Sequence, residues 1–499
     1  MLNFKKSIYM KKLYFALSIF MISALVILSC KNFLEEAPKS VLSTENFFLS
    51  ESDAIAAVSA VYDKLNKRHL VNATAWIYAD ITTPDTSTPS AELDIAVYDN
   101  FNLGTSNPYL NENWPELYEG ITRANYVIAN LPGMEDLDNV LKDRLINEVK
   151  FLRGWYYFFL VQAYGGVPLI TEPINISDET QYLVPRSTKE EVYAQIEADF
   201  TAAEALPATY TGADVGRVTS GAAKAYLAKA YLFQEKWQLA SSKALEVVES
   251  GVYQLLPSFR DATWNKNTSE SIFEMQSIGG TPGWEDANEG NSIGIWARPT
   301  CFGGWGLHNG TQDLYDAFEA GDPRKSYTLL DVGEEYDGQV LPSDCLPDNT
   351  YALLKLLGDP AGGTGGDANG SQNFIFMRLS EVYLMIAEAN AMIDNLSAAE
   401  NALEVVRARA RNDINADAGT LPILSGLSQL ALIDAIRNER RVELASEMKR
   451  FYDLVRWGIA GEVIRADGKN FIDGKHELFP IPQSQIDISQ GTLSQNPGY

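Results

Sequence analysis

Residues 219–250 carry the pattern that decides the fold: TSGAAKAYLAKAYLFQEKWQLASSKALEVVES. Apolar side chains recur in this stretch every three to four residues, which is the spacing of helices with one buried face. Alanines crowd its first half, so that a second helix can approach the first closely. The stretch therefore predicts a tight hairpin of two helices, over 219–234 and 237–250.

A second stretch near the C-terminus repeats this pattern over 376–394 and 397–411, again with alanines on the first helix. Small residues on a first helix and an aromatic residue near the turn resemble tetratricopeptide units. The pairs do not follow one another at a fixed period, so we expect dispersed helix pairs and no regular solenoid. The predicted fold class is all-α, with tetratricopeptide-like helix pairs forming a scaffold beside an irregular, long-loop face that binds the ligand.

Other helices are predicted from the same spacing: 52–68, 115–130, 138–164 and 427–447. Pro115 is expected in the first turn of its helix, where the missing N–H costs nothing. Two more helix starts are predicted from capping boxes, in which a serine is followed three residues later by a glutamate. These boxes are Ser187 with Glu190 and Ser397 with Glu400.

The N-terminus has the three parts of a secretory signal: four lysines, the apolar run 13–28, and Ser29-Cys30 directly after it. A run of 16 residues is short for a membrane-spanning helix, which takes roughly 20 apolar residues, so an uncut single-pass anchor is the less favoured alternative. An apolar residue three before a cysteine, with serine just before it, resembles a bacterial lipobox. We predict a lipoprotein signal peptide over 1–29 and an acylated Cys30 that begins the mature protein.

Acidic residues outnumber basic ones: the chain has 66 Asp and Glu against 40 Lys and Arg, a formal net charge of −26. Nucleic acids and anionic lipids are held by Lys and Arg, so this composition argues against both as partners. No linker or low-complexity segment divides the chain after the signal, and we predict one domain over 30–499. Cys301 and Cys345 lie in loop-like surroundings and do not make a disulfide framework, so whether they pair is left open.

Two long irregular regions, about 70–113 and 256–375, interrupt the predicted helices, and loops of this length are uncommon unless they are functional. Aromatic faces stack on the C–H faces of sugar rings, while Asp, Asn and Arg form hydrogen bonds with hydroxyl groups. The alternative for each ring is that it pins its loop to the body. The aromatic residues of these two regions form one set, to which Tyr109 also belongs. The candidate ligand-binding residues are Trp76, Asp80, Tyr98, Asn100, Trp284, Trp296, Arg298 and Trp305.

The sequence carries no signature of an enzyme. His69, His308 and His476 are far apart and lack metal-ligand spacing, so we predict no metal site, no cofactor and no catalytic residue. The charged helix near 437–447 is interpreted as structural, with opposite charges three and four residues apart tying the last helices to the bundle. An anion site there is the less favoured alternative.

Short motifs follow one another along almost the whole chain: TENFF at 44–48, WPELY at 114–118, YGGVPL at 164–169, GDPR at 321–324, RLSEVYL at 378–384, RFYDLVRW at 450–457, FPIP at 479–482 and QNPGY at 495–499. In this order they resemble the SusD/RagB family of nutrient-binding outer-membrane lipoproteins. One departure is Ser446-Glu447-Met448, where the family has a glycine in a turn. No loop motif matches, so no ligand-binding residue is carried over from the family.

The resemblance implies a lipid-anchored protein on the outer-membrane surface that acts as a lid on a SusC-like TonB-dependent transporter. Its implied task is to capture an oligosaccharide without changing it chemically. Peptide cargo with the same lid role and a helical scaffold that binds only protein are the alternatives, and a hydrolase is the least favoured one. A structural Ca²⁺ ion supporting a loop is left open.

Overall fold

The computed structural model describes residues 48–89, 91–175, 178, 181, 183–279, 290–358 and 370–499. The predicted signal peptide, Cys30 and Trp284 lie outside these residues. Residues 54–499 form one compact unit. In the described ranges, the helices of 12 or more residues are α1 (Glu51–Tyr62), α2 (Pro108–Asn130), α3 (Asn139–Tyr164), α4 (Lys189–Ala203), α5 (Ser220–Phe233), α6 (Trp237–Glu249), α7 (Leu379–Met392), α8 (Leu396–Arg411) and α9 (Gln429–Glu443).

The long helices pack on one another in series. α3 packs between α2 and α4, α5 forms a hairpin with α6, and α6 packs on α7, which forms a hairpin with α8 and also contacts α9. The hairpins α5–α6 and α7–α8 confirm the predicted helix pairs and the mostly helical, tetratricopeptide-like fold. Within the part of the chain that the structure describes, every helix is too short or too polar to cross a membrane.

Aromatic side chains of α3 build the centre of the scaffold. The Asp138 carboxylate caps the helix by accepting from the Leu141 N–H at 3.0 Å, and Gly165, at φ +76°, ends it. In between, the ring of Phe151 lies 5.2 Å from that of Phe200 and 5.1 Å from that of Phe273. Burying one such ring contributes about 1.5–3 kcal/mol, so this helix holds the layers on either side of it together.

Short strands and helices occupy the two regions predicted as irregular. The strand β2 (Ser271–Met275) pairs antiparallel with β7 (Phe374–Arg378), so the helix predicted from residue 376 begins only at Leu379. The other strands are β1 (Thr86–Ser87), β3 (Asn309–Thr311), β4 (Glu335–Tyr336), β5 (Gln339–Val340) and β6 (Thr350–Ala352), of which β1, β3 and β6 form one sheet and β4 and β5 a hairpin. The short helices are Thr74–Trp76, Leu93–Asp99, Phe259–Trp264, Ile293–Ala297, Gln312–Ala317, Arg324–Thr328, Leu354–Leu357, Arg450–Arg456, Ala460–Ala466 and Gln483–Ile488.

Three further helix limits differ from the prediction by several residues. α1 ends at Tyr62 because the chain continues as a 3₁₀ helix (Asp63–Asn66) and a π-type turn (Arg68–Asn72). α2 starts at Pro108, so Pro115 lies inside that helix and not in its first turn. α9 ends at Glu443 and not at residue 447.

Both predicted capping boxes are also wrong. The box of α4 is shifted by one residue: the Thr188 hydroxyl accepts from the Glu191 N–H at 3.2 Å, and Glu191 accepts from the Thr188 N–H at 2.8 Å. α8 begins directly after Asn395, so Ser397 lies inside the helix. The sequence rule identified the helices but not the residue at which each begins.

A buried network of charges joins α9 to the rest of the scaffold. The Glu443 carboxylate accepts hydrogen bonds from Arg378 and Arg409, and from Nη1 of Arg324 at 3.0 Å. Glu443, Arg324 and Arg378 are fully buried. The structural interpretation of this charged helix is confirmed, but these partners come from distant segments and not from positions three or four residues away.

Cys301 and Cys345 form a disulfide bond, with their Cα atoms 5.8 Å apart. The sequence had left this pairing open, since a contact across 44 residues depends on how the intervening chain folds. The bond connects the 300–306 turn to the segment that precedes β6. It therefore tethers a loop that carries one of the candidate tryptophans.

Candidate functional site

Three of the predicted ligand-binding rings are buried in the body. Trp76 is 0%, Tyr98 1% and Trp296 3% exposed. Trp76 stacks on His308 with 4.7 Å between the ring centres, and the Tyr98 hydroxyl donates to Oδ1 of Asn107 at 2.9 Å. The three rings are enclosed by other parts of the protein. The expectation that they offer a face to a ligand is therefore wrong in this structure. They pin the loops to the body, which is the alternative weighed from the sequence.

Asp80 is buried as well, below the same aromatic rings. Its Oδ2 lies 3.8 Å from Nε2 of His308. Burial raises the pKa of Asp80 well above its ordinary value, and burial lowers the pKa of His308 to about 3. Because Asp80 is only 2% exposed, it does not supply the exposed carboxylate that was predicted to bind hydroxyl groups.

Asn100 and Arg298 are accessible but are engaged locally. Asn100 is exposed, and its Oδ1 accepts from the N–H of Asn102 at 3.0 Å, which closes a turn after the short helix 93–99. Arg298 is partly buried, with its guanidinium carbon 6.0 Å from the centre of the Tyr336 ring. Nη1 of Arg298 also donates to the Phe302 carbonyl at 3.4 Å, within the loop that carries Trp305, whereas the hydrogen bond of Asn100 stays within its own turn.

Among the candidate tryptophans that the structure describes, Trp305 keeps an accessible surface. It is partly buried, and its ring meets that of Trp296 edge-on with 4.6 Å between the centres. The backbone fixes this position, because the Trp305 N–H donates to the Ile295 carbonyl at 2.9 Å. A Cβ on Gly304 would lie 2.2 Å from the carbonyl oxygen of Arg298, so only glycine allows the turn. The loop therefore presents Trp305 on a rigid support.

Three residues outside the predicted ligand-binding set complete this surface: Arg68, His69 and Tyr109. The guanidinium carbon of exposed Arg68 lies 5.9 Å from the centre of the Trp296 ring, and the rings of His69 and Tyr109 are 6.0 Å apart. Burial raises the pKa of Tyr109, while the charge and a hydrogen bond of neighbouring Arg68 oppose that rise. Arg68 thus bridges the tyrosine and the tryptophan pair.

The sequence offered only a partial signal for these residues. Tyr109 was in the aromatic set, but Arg68 was assigned to the predicted helix 52–68. The π-type turn Arg68–Asn72 is an uncommon element of a kind often found at functional sites. It places Arg68 near the Trp296 ring and His69 near the Tyr109 ring. We call the group Arg68, His69, Tyr109 and Trp305, with the buried ring of Trp296 behind it, the aromatic surface.

The aromatic surface has the chemistry of a site for a polar ligand with apolar faces. Two partly exposed rings provide stacking area, and a guanidinium and an imidazole provide hydrogen bonds. Burial lowers the pKa of His69 and Arg68 lowers it further, so the imidazole is neutral at neutral pH. Among the described residues, no three His, Cys, Asp or Glu side chains are grouped to hold a metal ion.

Comparisons with known proteins agree with the ordered motifs. The profile described as "SusD family" matches residues 346–499, and the profile "Starch-binding associating with outer membrane" matches residues 32–232. A solved structure, "Laminarin binding SusD-like protein", is 31% identical and has a TM-score of 0.77, covering 90% of this chain and 100% of that one. The chain belongs to the SusD family.

Other SusD-like proteins are similar over most of their length. "SusD-like protein P2" of Formosa agariphila is 29% identical over 96% of this chain and 99% of its own. "Surface glycan-binding protein A from Bacteroides thetaiotaomicron in complex with laminarihexaose" is 21% identical with a TM-score of 0.75, covering 89% of this chain and 99% of that one, and supports the fold alone. These findings confirm the family and the fold, and they support carbohydrate binding and outer-membrane association in general terms.

Proposed function

We propose that this SusD-family protein captures an oligosaccharide on the aromatic surface and passes it, unchanged, to a SusC-like TonB-dependent transporter in the outer membrane. The observation that supports this most directly is the pair of partly exposed rings, Trp305 and Tyr109. Arg68 lies near Tyr109 and 5.9 Å from the Trp296 ring, against which Trp305 packs. Stacking rings with hydrogen-bond donors beside them suit sugars better than peptides, whose backbones need an aligned row of partners.

The first ligand to test is laminarin, because a relative that is 31% identical is named for binding it. Laminarin is a glucose polymer without charge. A neutral His69 suits such a ligand, since the imidazole can both donate and accept hydrogen bonds with hydroxyl groups. Acidic peptides are disfavoured by the formal net charge of −26.

Tethering at the cell surface is part of the same proposal. It depends on the predicted signal over 1–29 and on acylation of Cys30, followed by further acylation, since one chain alone binds membranes only weakly and reversibly. Metabolic labelling with a fatty-acid probe, compared between the wild type and Cys30→Ala, tests the anchor. Label that persists in the variant would contradict it.

Calorimetry with laminari-oligosaccharides and a panel of other polysaccharides tests the capture step. Trp305→Ala is expected to weaken binding by about 10- to 30-fold, which corresponds to roughly 1.4–2 kcal/mol. Trp237→Ala is the matched control, because Trp237 is also partly buried but begins α6 of the scaffold. Equal affinity of the Trp305 variant and the wild type would contradict the proposed site, and a wild type that binds no glycan would contradict the function. Peptides found by mass spectrometry in the purified protein would favour the alternative cargo.

A further inference from the structure

A second surface of this molecule has features of a ligand site and is not used by the proposed function. It consists of two adjoining cavities, of about 280 and 190 Å³. They adjoin because Val215, Gly216, Arg217 and Glu274 line both of them. Their combined size falls in the range of sites for small organic molecules, about 300–1,000 Å³. We call these two cavities the cleft.

Three segments converge on one exposed glutamine to make a wall of the cleft. The side-chain amides of Gln276 and Asn267 donate to each other's carbonyl oxygens at 3.0 and 2.9 Å, and Asn373 adds a third bond to Gln276 at 3.0 Å. Gly216, at φ +95°, touches the same side chain: a Cβ there would lie 2.5 Å from Cδ of Gln276. The result is an ordered shelf of amides whose remaining N–H groups are available to a ligand.

Charged groups in the walls of the cleft are already paired within the protein. Arg217 donates to Glu148 at 2.9 Å and to Asp214 at 2.7 Å, and Asp63 pairs with Lys67 at 3.1 Å. Glu274 is buried and accepts from Asn373 at 2.6 Å, and burial raises its pKa. An ionic ligand would have to displace these partners, so the cleft favours an uncharged one.

The cleft also offers aromatic surface from two tyrosine rings. Tyr210 lines the smaller cavity and is partly exposed, while its hydroxyl oxygen is buried and has no hydrogen-bond partner among the residues that the structure describes. Tyr253 lines the same cavity, and its hydroxyl is bonded to that of Thr219 at 2.8 Å. The partly exposed rings of Tyr210 and Tyr253 give the smaller cavity aromatic surface on which a sugar unit can stack.

The cleft lies close to the aromatic surface along the chain. Asn66 lines the larger cavity and Arg68, two residues further on, belongs to the aromatic surface. Consecutive Cα atoms are ~3.8 Å apart, so these two residues are within about 8 Å of each other. A sugar chain of several units spans that distance.

We propose that the cleft is a second binding site for uncharged sugar units, and that it holds part of a longer glycan whose other part lies on the aromatic surface. This inference rests on the proposed function. It predicts that the protein prefers long chains, because a second set of contacts acts at a high effective concentration once the first is made.

This inference is tested with variants that fill the cleft or remove a side chain from its wall. For each variant, affinity is compared between short and long glycans. Val215→Trp places a large side chain at the junction of the two cavities, from a position that is 45% exposed. Val405→Trp, on the surface of α8 at 36% exposure, is the matched control. Gln276→Ala removes the amide shelf from an exposed position, and Gln238→Ala on α6 is its control.

Affinities for laminaribiose, laminarihexaose and laminarin are measured by calorimetry, alongside thermal unfolding of each variant. The wild type should bind more tightly as the chain grows, and Val215→Trp should lose about tenfold for laminarin and less than twofold for laminaribiose. A cleft variant whose affinity rises with chain length as in the wild type would overturn the inference, as would an equal loss for every length. If Val215→Trp is unstable, the affinities of Gln276→Ala for the three sugars are compared with the wild type in its place. Failure of the proposed function is distinct, since the wild type would then bind none of the sugars.

Discussion

Ser446 adopts a backbone conformation that favours glycine, with φ +59°. Met448, two residues on, has φ +60°. This is the turn in which the family has a glycine. A left-handed conformation costs a residue with a Cβ roughly 1–2 kcal/mol, and the Ser446 hydroxyl is in addition buried without a hydrogen-bond partner among the described residues. The departure from the family motif therefore stores strain in this turn.

We expect Ser446→Gly to stabilise the protein by about 1 kcal/mol, after the greater unfolded-state freedom of glycine is subtracted. Urea unfolding measures the change in free energy. Ser446→Ala is the control, since it removes the hydroxyl but keeps the Cβ. It should raise the free energy of unfolding by less than Ser446→Gly does. If the alanine variant were as stable as the glycine variant, the backbone would not be the source of the strain.

At the scale of elements, the disulfide bond connects the Trp305 loop to the segment before β6. Cys301 lies four residues before Trp305, and its partner Cys345 packs against a core cluster that includes Tyr336 and Leu353. The loop has its own backbone hydrogen bonds, from Gly306 to Arg298 at 2.8 Å and from Leu307 to Trp296 at 2.8 Å. The bond is therefore expected to stabilise the position of a loop that is already ordered.

Replacing both cysteines, Cys301→Ser with Cys345→Ser, should lower stability by about 2–4 kcal/mol, the usual range for a disulfide that closes a loop of this size. Glycan affinity should fall less than in Trp305→Ala, since the backbone bonds of the loop remain. Thermal unfolding and calorimetry on the same samples measure the two effects. An affinity loss as large as that of Trp305→Ala would mean that the disulfide alone holds the aromatic surface together.

One carboxylate of α9, that of Glu443, pairs with three arginines from other segments of the scaffold. Glu443→Gln leaves three buried arginines, Arg324, Arg378 and Arg409, without the charge that they share. Removing one partner of a buried ion pair typically costs about 3–5 kcal/mol. Urea unfolding should show a loss of that size, while Glu249→Gln, on the exposed end of α6, should change stability by less than about 0.5 kcal/mol. A small effect at Glu443 would mean that water enters the network.

For the whole molecule, the response to acid should come from buried carboxylates and not from the acidic surface. The formal net charge is −26, so mild acid reduces repulsion at the surface. Burial by itself would raise the pKa of Asp453, but the guanidinium groups of Arg440 and Arg456 lower it to about 2. Since an unfolded Asp titrates near ~3.9, the stability that Asp453 contributes is present above that pH and is lost as the pH falls towards 2.

The excess stability of the wild type over Asp453→Asn should therefore be about 2 kcal/mol at neutral pH and shrink between pH ~4 and ~2. Burial raises the pKa of Asp80, so Asp80 contributes to the pH dependence with the opposite sign. Because Asp80 is present in both proteins, its contribution cancels in the comparison. Urea unfolding at a series of pH values measures the difference. A difference that stays constant down to pH ~2 would show that the Asp453 pKa is not lowered on folding.

The sequence by itself determined what depends on neighbours along the chain. The spacing of apolar residues and alanines predicted the hairpins α5–α6 and α7–α8, and the ordered motifs predicted the family. For the site, Trp305 is partly exposed and stays a predicted ligand-binding residue, whereas Trp76, Tyr98 and Trp296 are buried.

Only the tertiary structure decided which rings face outward, because exposure depends on segments far apart in the chain. Trp76 is covered by the ring of His308 and Glu443 is paired with Arg378, and both contacts join distant residues. The π-type turn that positions Arg68 and the Cys301–Cys345 bond also follow from long-range packing. A local sequence pattern predicts where a helix forms, but it does not predict which loop will cover a given side chain.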